Sequence, residues 1–148
     1  MRVTFASGRN YLPDRVDGAI LSVHTLLELL EQRSHECEVI AGISADNPLR
    51  SWTHRARRLL TRRRVLGWVD SENGYPTHRA WEAQVPRLLT QRIAAFRPDI
   101  VLTQLEGSEA IAAAAIQASI PAVLFVRDAE FAWHRGGVAD HPFVLLLS

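Results

Sequence analysis

The order of apolar and turn-rich segments predicts an α/β domain with a Rossmann-like, three-layer α/β/α architecture and a mainly parallel sheet. Short apolar runs alternate with longer stretches whose apolar side chains recur every three or four residues. The run at residues 100–103 contains little polar alternation, which is typical of a strand buried on both faces. Strands that alternate with helices favour parallel pairing, with helices on both faces of the sheet.

The N-terminal part predicts a strand, a loop, a helix and a second strand. Residues 3–6 are apolar, and the loop after them is rich in Ser, Gly, Asn, Pro and Asp. From residue 19 to about residue 33, apolar side chains lie on one stripe of a helix, and Asp17 is its expected N-cap. A second buried strand is predicted at residues 38–43.

The middle of the chain predicts a helix over residues 48–64, a strand at 65–69 and a turn at 71–75. A helical pattern then covers residues 77–96, with Trp81, Val85 and Leu88 on one side. Pro86 lies inside this pattern. Because proline removes an amide donor, we expect either a kink there or a new helix with Pro86 in its first turn.

The last third predicts a strand at residues 100–103, an alanine-rich helix from Gly107-Ser108 to about residue 118, and a strand at 121–126. Ser108 is the expected cap of this helix. Residues 143–148 are apolar and predict one more strand. We therefore expect residues 1–148 to be one domain of a longer protein.

The composition is that of a globular domain. The 148 residues carry 17 basic side chains, all arginine, and 16 acidic ones, for a formal charge of +1. The apolar stretch at 110–116 is far shorter than the roughly 20 residues that span a bilayer. One cysteine, Cys37, excludes an intramolecular disulfide and suits a reducing cytoplasm. We expect a cytoplasmic protein with no metal site and no bound cofactor.

Four short motifs follow one another in a recognisable order. The first loop contains Leu-Pro-Asp at residues 12–14 and Asp-Gly-Ala at 17–19. Pro-Asp-Ile-Val at 98–101 and Ile-Pro-Ala-Val at 120–123 flank the small-residue helix. This arrangement, over nearly the whole chain, resembles the N-terminal domain of the GT-B glycosyltransferases of glycosyltransferase family four.

The resemblance implies an acceptor-side domain of a two-domain enzyme. Such an enzyme transfers a sugar from a nucleotide-sugar donor to a hydroxyl acceptor with retention, and its paired-glutamate motif lies in a C-terminal domain. The family often has histidines after the Pro-Asp and Ile-Pro strands. This chain has Gln104 and Glu106 after the first, and Arg127-Asp128 after the second. The resemblance therefore names neither the sugar nor the acceptor.

Two groups of candidate site residues follow. Asp17 and Gly18 stand at a helix N-terminus, where amides and the helix dipole favour donor phosphates, although an ordinary cap and turn is the alternative. Parallel sheets place ligands beyond the carboxyl ends of their strands. Acceptor or cleft residues are therefore predicted in the loops after three strands: Arg9, Asn10, Gln104, Glu106, Arg127, Asp128 and Glu130. The alternative is a set of surface polar groups that pair with one another.

A second class of function has the same alternation of strands and helices: a non-enzymatic flavodoxin-like or receiver-like binding module. A receiver needs acidic residues after its first strand, whereas this chain has Ser7-Gly8-Arg9. That difference favours the enzyme hypothesis.

A cluster of arginines lies in the predicted helix at 48–64. It predicts either a solvated helix face or peripheral contact with an anionic membrane surface at the inner face of the membrane. Because the net charge is close to zero, we expect no nucleic-acid partner. The membrane-facing residues would be Arg55, Arg57, Arg58, Arg62, Arg63 and Arg64.

Overall fold

A computed structural model describes residues 1–43, 69–70, 73–104 and 107–125 of the protein. Within these ranges, six strands alternate with three α-helices. The strands are β1 (Arg2–Ser7), β2 (Glu36–Ile43), β3 (Val69–Asp70), β4 (Thr77–Trp81), β5 (Ile100–Gln104) and β6 (Ala122–Phe125). The helices are α1 (Gly18–Gln32), α2 (Val85–Phe96) and α3 (Ser108–Gln117).

The strands form one sheet in the order β3-β4-β2-β1-β5-β6. The five strands β4, β2, β1, β5 and β6 are parallel, and β3 joins the edge antiparallel to β4. Numbered by themselves along the chain, the parallel strands follow the order 3-2-1-4-5. This is the Rossmann order and differs from the flavodoxin-like order 2-1-3-4-5. The predicted Rossmann-like α/β class with a mainly parallel sheet is confirmed.

Two apolar cores cover the two faces of the sheet. On one face, Phe5 of β1 and Val39 of β2 pack with Leu27 of α1. On the other face, Ile40 of β2 packs with residues of α2 and α3, among them Ile111. Consecutive strand residues point to opposite faces, so adjacent residues of β2 serve different cores. In the described part of the chain, no helix is long and apolar enough to cross a membrane.

One predicted helix, at residues 77–96, is wrong over residues 77–84. Residues 77–81 form strand β4, and residues 82–84 form a 3-10 turn before α2 begins at Val85. Pro86 stands in the first turn of α2, as one of the two predicted alternatives required. The helical spacing of Trp81 and Val85 was coincidental, because the strand and the helix meet between them.

The α3 cap also differs from its prediction. Gly107, with φ +79°, is the N-cap residue and makes no side-chain cap, while Ser108 is the first helical residue and is buried. Asp17, by contrast, caps α1 as predicted, with its Oδ1 accepting from the amide of Ile20 at 2.9 Å.

Several predicted segments lie outside the described residues. They are the helix at 48–64 with its arginine cluster, most of the strand at 65–69, and the strand at 143–148. The other predicted strands and helices are found with ends shifted by one or two residues.

Gly42 of β2 supplies a stability test of this packing. A Cβ at Gly42 would stand 1.7 Å from the Gly8 carbonyl oxygen, which is backbone and has little room to move. We expect Gly42→Ala to lower the free energy of unfolding by about 3 kcal/mol, the upper end for overpacking. Urea denaturation at constant m value measures the change.

Gly18→Ala is the matched control, because a Cβ there meets nothing within 4 Å. Alanine is the better helix former, so this variant should unfold at equal or higher urea, with a gain of up to about 1 kcal/mol. Equal midpoints for the two variants would contradict the close approach of Gly8 to Gly42.

Candidate functional site

The carboxyl edge of the sheet contains a topological switch point, where the strand order reverses between β1 and β5. The loop after β1 leads to α1 on one face, and the turn after β5 leads to α3 on the other. Open α/β sheets bind ligands in the crevice between two such strands. Gly8 passes close to Gly42 of β2, and a Cβ at Gly107 would lie 3.5 Å from the Gly8 Cα. Three glycines thus bring main chain from three strands together at this edge.

A cavity of about 490 Å³ opens beside these glycines. Gly8 and Gly107 form one end of its described wall, and Ile43 and Trp81, at the ends of β2 and β4, form the other. The 3-10 segment that contains Glu82 and Ala83 and the first turns of α2 and α3 complete the described wall. The volume is within the range of roughly 300–1,000 Å³ that is usual for small-molecule sites.

The loop between β1 and α1 is held in place by one buried guanidinium. Arg79 of β4 is 1% exposed, and its Nη1 lies 2.9 Å from the Asp14 carboxylate. Its Nη2 donates to the Leu12 carbonyl at 2.5 Å. Asn73 donates to the same carbonyl at 3.4 Å. The position of the loop is therefore set by contacts from a strand more than 60 residues later.

A chain of hydrogen bonds supports the same loop from the α1 side. The Tyr11 and Tyr75 hydroxyls are 2.5 Å apart, and Tyr75 also bonds to His24 Nδ1. His24 Nε2 lies 3.4 Å from the exposed Glu28 carboxylate. Burial raises the pKa of Tyr11 to about 12 and also raises the pKa of Tyr75. Both hydroxyls therefore stay protonated at physiological pH. Both ring nitrogens of His24 thus have a polar neighbour.

Asp17 is already engaged at the end of α1. Its carboxylate accepts from the Ile20 amide and from Arg15 Nε at 2.5 Å. Burial raises the pKa of Asp17, but these bonds outweigh the burial and hold the pKa below its usual value. A donor phosphate at this helix end would have to compete with a bound carboxylate, which favours the capping role over a phosphate site.

Of the other predicted site residues, Arg9, Asn10 and Gln104 are described, while Glu106, Arg127, Asp128 and Glu130 lie outside the described residues. Asn10 is 8% exposed and Arg9 is half-buried, in the loop after β1. Gln104 ends β5 at 1% exposure. The structure therefore brings these three to one edge of the sheet, although none of them lines the described wall of the cavity.

Unpartnered polar atoms lie at the ends of β4 and β5. Both side-chain amide atoms of Gln104 are buried without a hydrogen-bond partner among the described residues, and so are Thr103 Oγ1 and Trp81 Nε1. An unsatisfied buried polar group costs about 1–3 kcal/mol. Thr77 Oγ1 and His78 Nε2, nearer the start of β4, are also without a hydrogen-bond partner among the described residues, so the carboxyl edge contains some but not all of these groups.

Glu38, by contrast, is a buried carboxylate whose two oxygens both have hydrogen-bond partners. Its Oε1 accepts from Thr4 at 2.9 Å, and its Oε2 accepts from Arg92 Nε and Nη2 at 3.0 and 2.8 Å. His78 Nε2 lies 3.5 Å away. Burial raises the pKa of Glu38, but His78, Arg92 and Thr4 together lower it by more. This cluster ties α2 to the sheet and has a structural role.

Two further side-chain observations limit the chemistry. Cys37 is 3% exposed, and burial raises the pKa of its thiol to about 11, which leaves it protonated and unreactive at neutral pH. Within residues 1–43, 69–70, 73–104 and 107–125, no group of three His, Cys, Asp or Glu side chains is placed to hold a metal ion.

The sequence predictions missed the cavity wall. Trp81 and Glu82 were assigned to a helix, so their position at the end of a strand was hidden. Gly8 and Gly107 each follow a predicted strand at its carboxyl end, and that placement was the available signal.

Comparison with known proteins identifies no family for this chain. No protein-family model matches the chain, and neither a curated protein nor a solved structure matches it. The resemblance to GT-B glycosyltransferases therefore rests on the sequence motifs alone.

Arg79→Met tests the anchoring of the β1–α1 loop. The substitution keeps the apolar stem but leaves the Asp14 carboxylate and the Leu12 carbonyl without their guanidinium. We expect a loss of about 3–5 kcal/mol of stability, as when one partner of a buried pair is removed. The amides of Asp14 and Arg15, which donate to Tyr11 O, should also exchange faster with solvent.

Arg87→Met, at an exposed arginine of α2, is the control and should change stability by less than about 0.5 kcal/mol. Similar losses in the two variants would rule out the anchoring role of Arg79.

Glu38→Gln gives a pH-dependent prediction. The folded-state pKa of Glu38 lies below the unfolded value of about 4.3. The ionised carboxylate therefore stabilises the fold fully at pH values above about 4.3, and this stabilisation is lost as the pH falls through the folded-state pKa. At pH 7 the variant should lose about 2–3 kcal/mol, less than for a fully buried pair since the Arg92 side chain is 27% exposed.

Urea unfolding of both proteins at pH 7, 5 and 3 should show this difference shrinking at the lowest pH. Glu36→Gln, at an exposed position of the same strand, should follow the wild-type curve throughout. A difference that is constant with pH would show that Glu38 acts through packing and not through its charge.

Proposed function

We propose that this chain is the acceptor-side, N-terminal domain of a retaining GT-B glycosyltransferase. In this proposal the carboxyl edge of the sheet binds the hydroxyl acceptor, and a second, C-terminal domain binds most of the nucleotide-sugar donor. Transfer takes place between the two domains. The chain itself positions the acceptor, and the second domain supplies most of the electrostatic stabilisation of the departing diphosphate.

The observation that carries the proposal is the cavity at the switch point of a 3-2-1-4-5 sheet. It lies where Rossmann-like domains bind their ligands, and glycine main chain forms part of its wall. A sheet of this class with a ligand-sized opening supports a binding role. The motifs at residues 12–14, 17–19, 98–101 and 120–123 connect that role with glycosyl transfer.

Gln104 supports the acceptor side of the proposal. Its amide can both donate to and accept from a hydroxyl, and it is unpartnered among the described residues. It stands where the resembled family often has a histidine. A neutral amide orients a hydroxyl without removing its proton, so the proposal gives Gln104 a binding role and leaves the reaction without a base from this strand.

The alternative is a non-enzymatic binding module of Rossmann-like fold. The same cavity supports it, and the strand order disfavours its flavodoxin-like and receiver-like forms. The two hypotheses differ in whether a sugar is transferred when a second α/β domain is joined to this one.

An activity assay distinguishes the hypotheses. The 148 residues alone should not transfer sugar from nucleotide-sugar donors, whereas the chain joined to a following α/β domain should do so. Gln104→Ala in the longer chain should raise KM for the acceptor several-fold and leave KM for the donor unchanged. Thin-layer or mass-spectrometric detection of the glycosylated acceptor is the measurement.

Thr25→Ala, at an exposed position of α1 away from this edge, is the control and should leave both KM values unchanged. Transfer by residues 1–148 at the rate of the longer chain would contradict the two-domain proposal. The absence of any transfer by the longer chain across the common nucleotide-sugar donors would favour the binding module.

A further inference from the structure

We propose that the cavity at the carboxyl edge binds a neutral, apolar ring system, aromatic or cyclic aliphatic, and excludes phosphates. The idea that this ring is part of the acceptor rests on the proposed glycosyl transfer. The binding itself does not depend on it.

The chemistry of the described wall supports an apolar ligand. Of the apolar side chains in the wall, Trp81 and Pro86 are partly exposed and present aromatic and aliphatic surface, whereas Ile43, Val85 and Ile111 are buried. Ala83 and Ala110 are small and leave space, and Glu82 is the one charged side chain of the described wall. Binding of an apolar ring against such a surface is favourable, because it removes apolar area from water.

The charges near the cavity disfavour an anion. Two helices begin here, and each helix start carries about half a positive charge. However, Glu82 stands in the first turn of the 3-10 segment and Glu109 in the first turn of α3. Glu82 is itself part of the described wall, whereas no arginine or histidine of the described residues is.

Proline strengthens this argument. Pro86 occupies the first turn of α2 and has no amide hydrogen, so one of the donors that a phosphate uses at a helix start is missing. The α2 start therefore offers an apolar ring face where an anion site would offer an N–H group.

The volume sets the size of the ligand. An apolar cavity of about 150 Å³ holds one benzene molecule. At about 490 Å³, this cavity admits a ring system of two or three fused rings. Trp81, at its wall, supplies an aromatic surface for offset or edge contact with such a ring.

Titration followed by amide chemical shifts tests the inference, with three probes added separately to the 148-residue protein: indole, methyl α-glucoside and inorganic pyrophosphate. We expect saturable shifts with indole at Gly8, Ala83, Gly107 and Ala110. Pyrophosphate and the glucoside should cause no saturable shifts at these amides.

Ala110→Phe fills the cavity from α3 and should weaken indole binding at least tenfold. Ala113→Phe, at an exposed position of the same helix outside the described wall, is the matched control and should bind indole as the wild type does. Ala83→Trp fills the cavity from the 3-10 segment and provides a second blocking variant if Ala110→Phe does not fold, as judged by circular dichroism.

Saturable pyrophosphate shifts at Gly8 and Gly107, equal weakening by Ala110→Phe and Ala113→Phe, or no saturable indole binding would each overturn the inference. Indole binding in a protein whose longer chain transfers no sugar would leave this inference intact and reject the proposed function. Sugar transfer by the longer chain without indole binding would do the reverse.

Discussion

The buried guanidinium of Arg79 is the contact on which the geometry of the candidate site depends. Its strand, β4, lies between β2 and β3, and from there it binds the carboxylate and the carbonyl of the β1–α1 loop. A buried cation without partners is strongly unfavourable, so the fold is stable only when this loop lies against β4. That requirement positions the loop beside the carboxyl edge.

The two faces of the sheet satisfy their buried charges in the same way. On the α1 face, Arg79 pairs with Asp14, and on the α2 face Glu38 pairs with Arg92. Each pair joins a strand to a segment distant in the sequence, and each pays its desolvation cost with several hydrogen bonds. The unpartnered groups of Trp81, Thr103 and Gln104 lie at the carboxyl ends of their strands, the edge at which open α/β sheets bind ligands.

The helix starts at the candidate site differ in how well they suit an anion and a neutral ring. At the start of α1, Asp17 supplies the negative charge that the helix end favours, so an external anion gains little there. At the starts of α2 and α3, the acidic side chains and Pro86 leave a surface suited to a neutral ring. In the glycosyltransferase proposal, most of the binding of the donor diphosphate therefore falls to the second domain, and this domain selects the acceptor.

Local apolar periodicity, or a residue next to a helix start, was enough to predict several features from the sequence by itself. These are the α/β class, strands β1, β2, β5 and β6, helices α1 and α3, and the Asp17 cap. It also indicated the carboxyl edge as the place to find Gln104. Strand β4 was decided by tertiary structure. Its residues Thr77, His78 and Arg79 are polar and buried, and Arg79 and His78 find their charge partners more than 35 residues away in Asp14 and Glu38. The cavity was likewise decided by tertiary structure. The sequence places Gly8 and Gly107 after their strands, but the approach of Gly8 to Gly42 and Gly107 joins main chain from three strands whose separation is set only when the sheet is assembled.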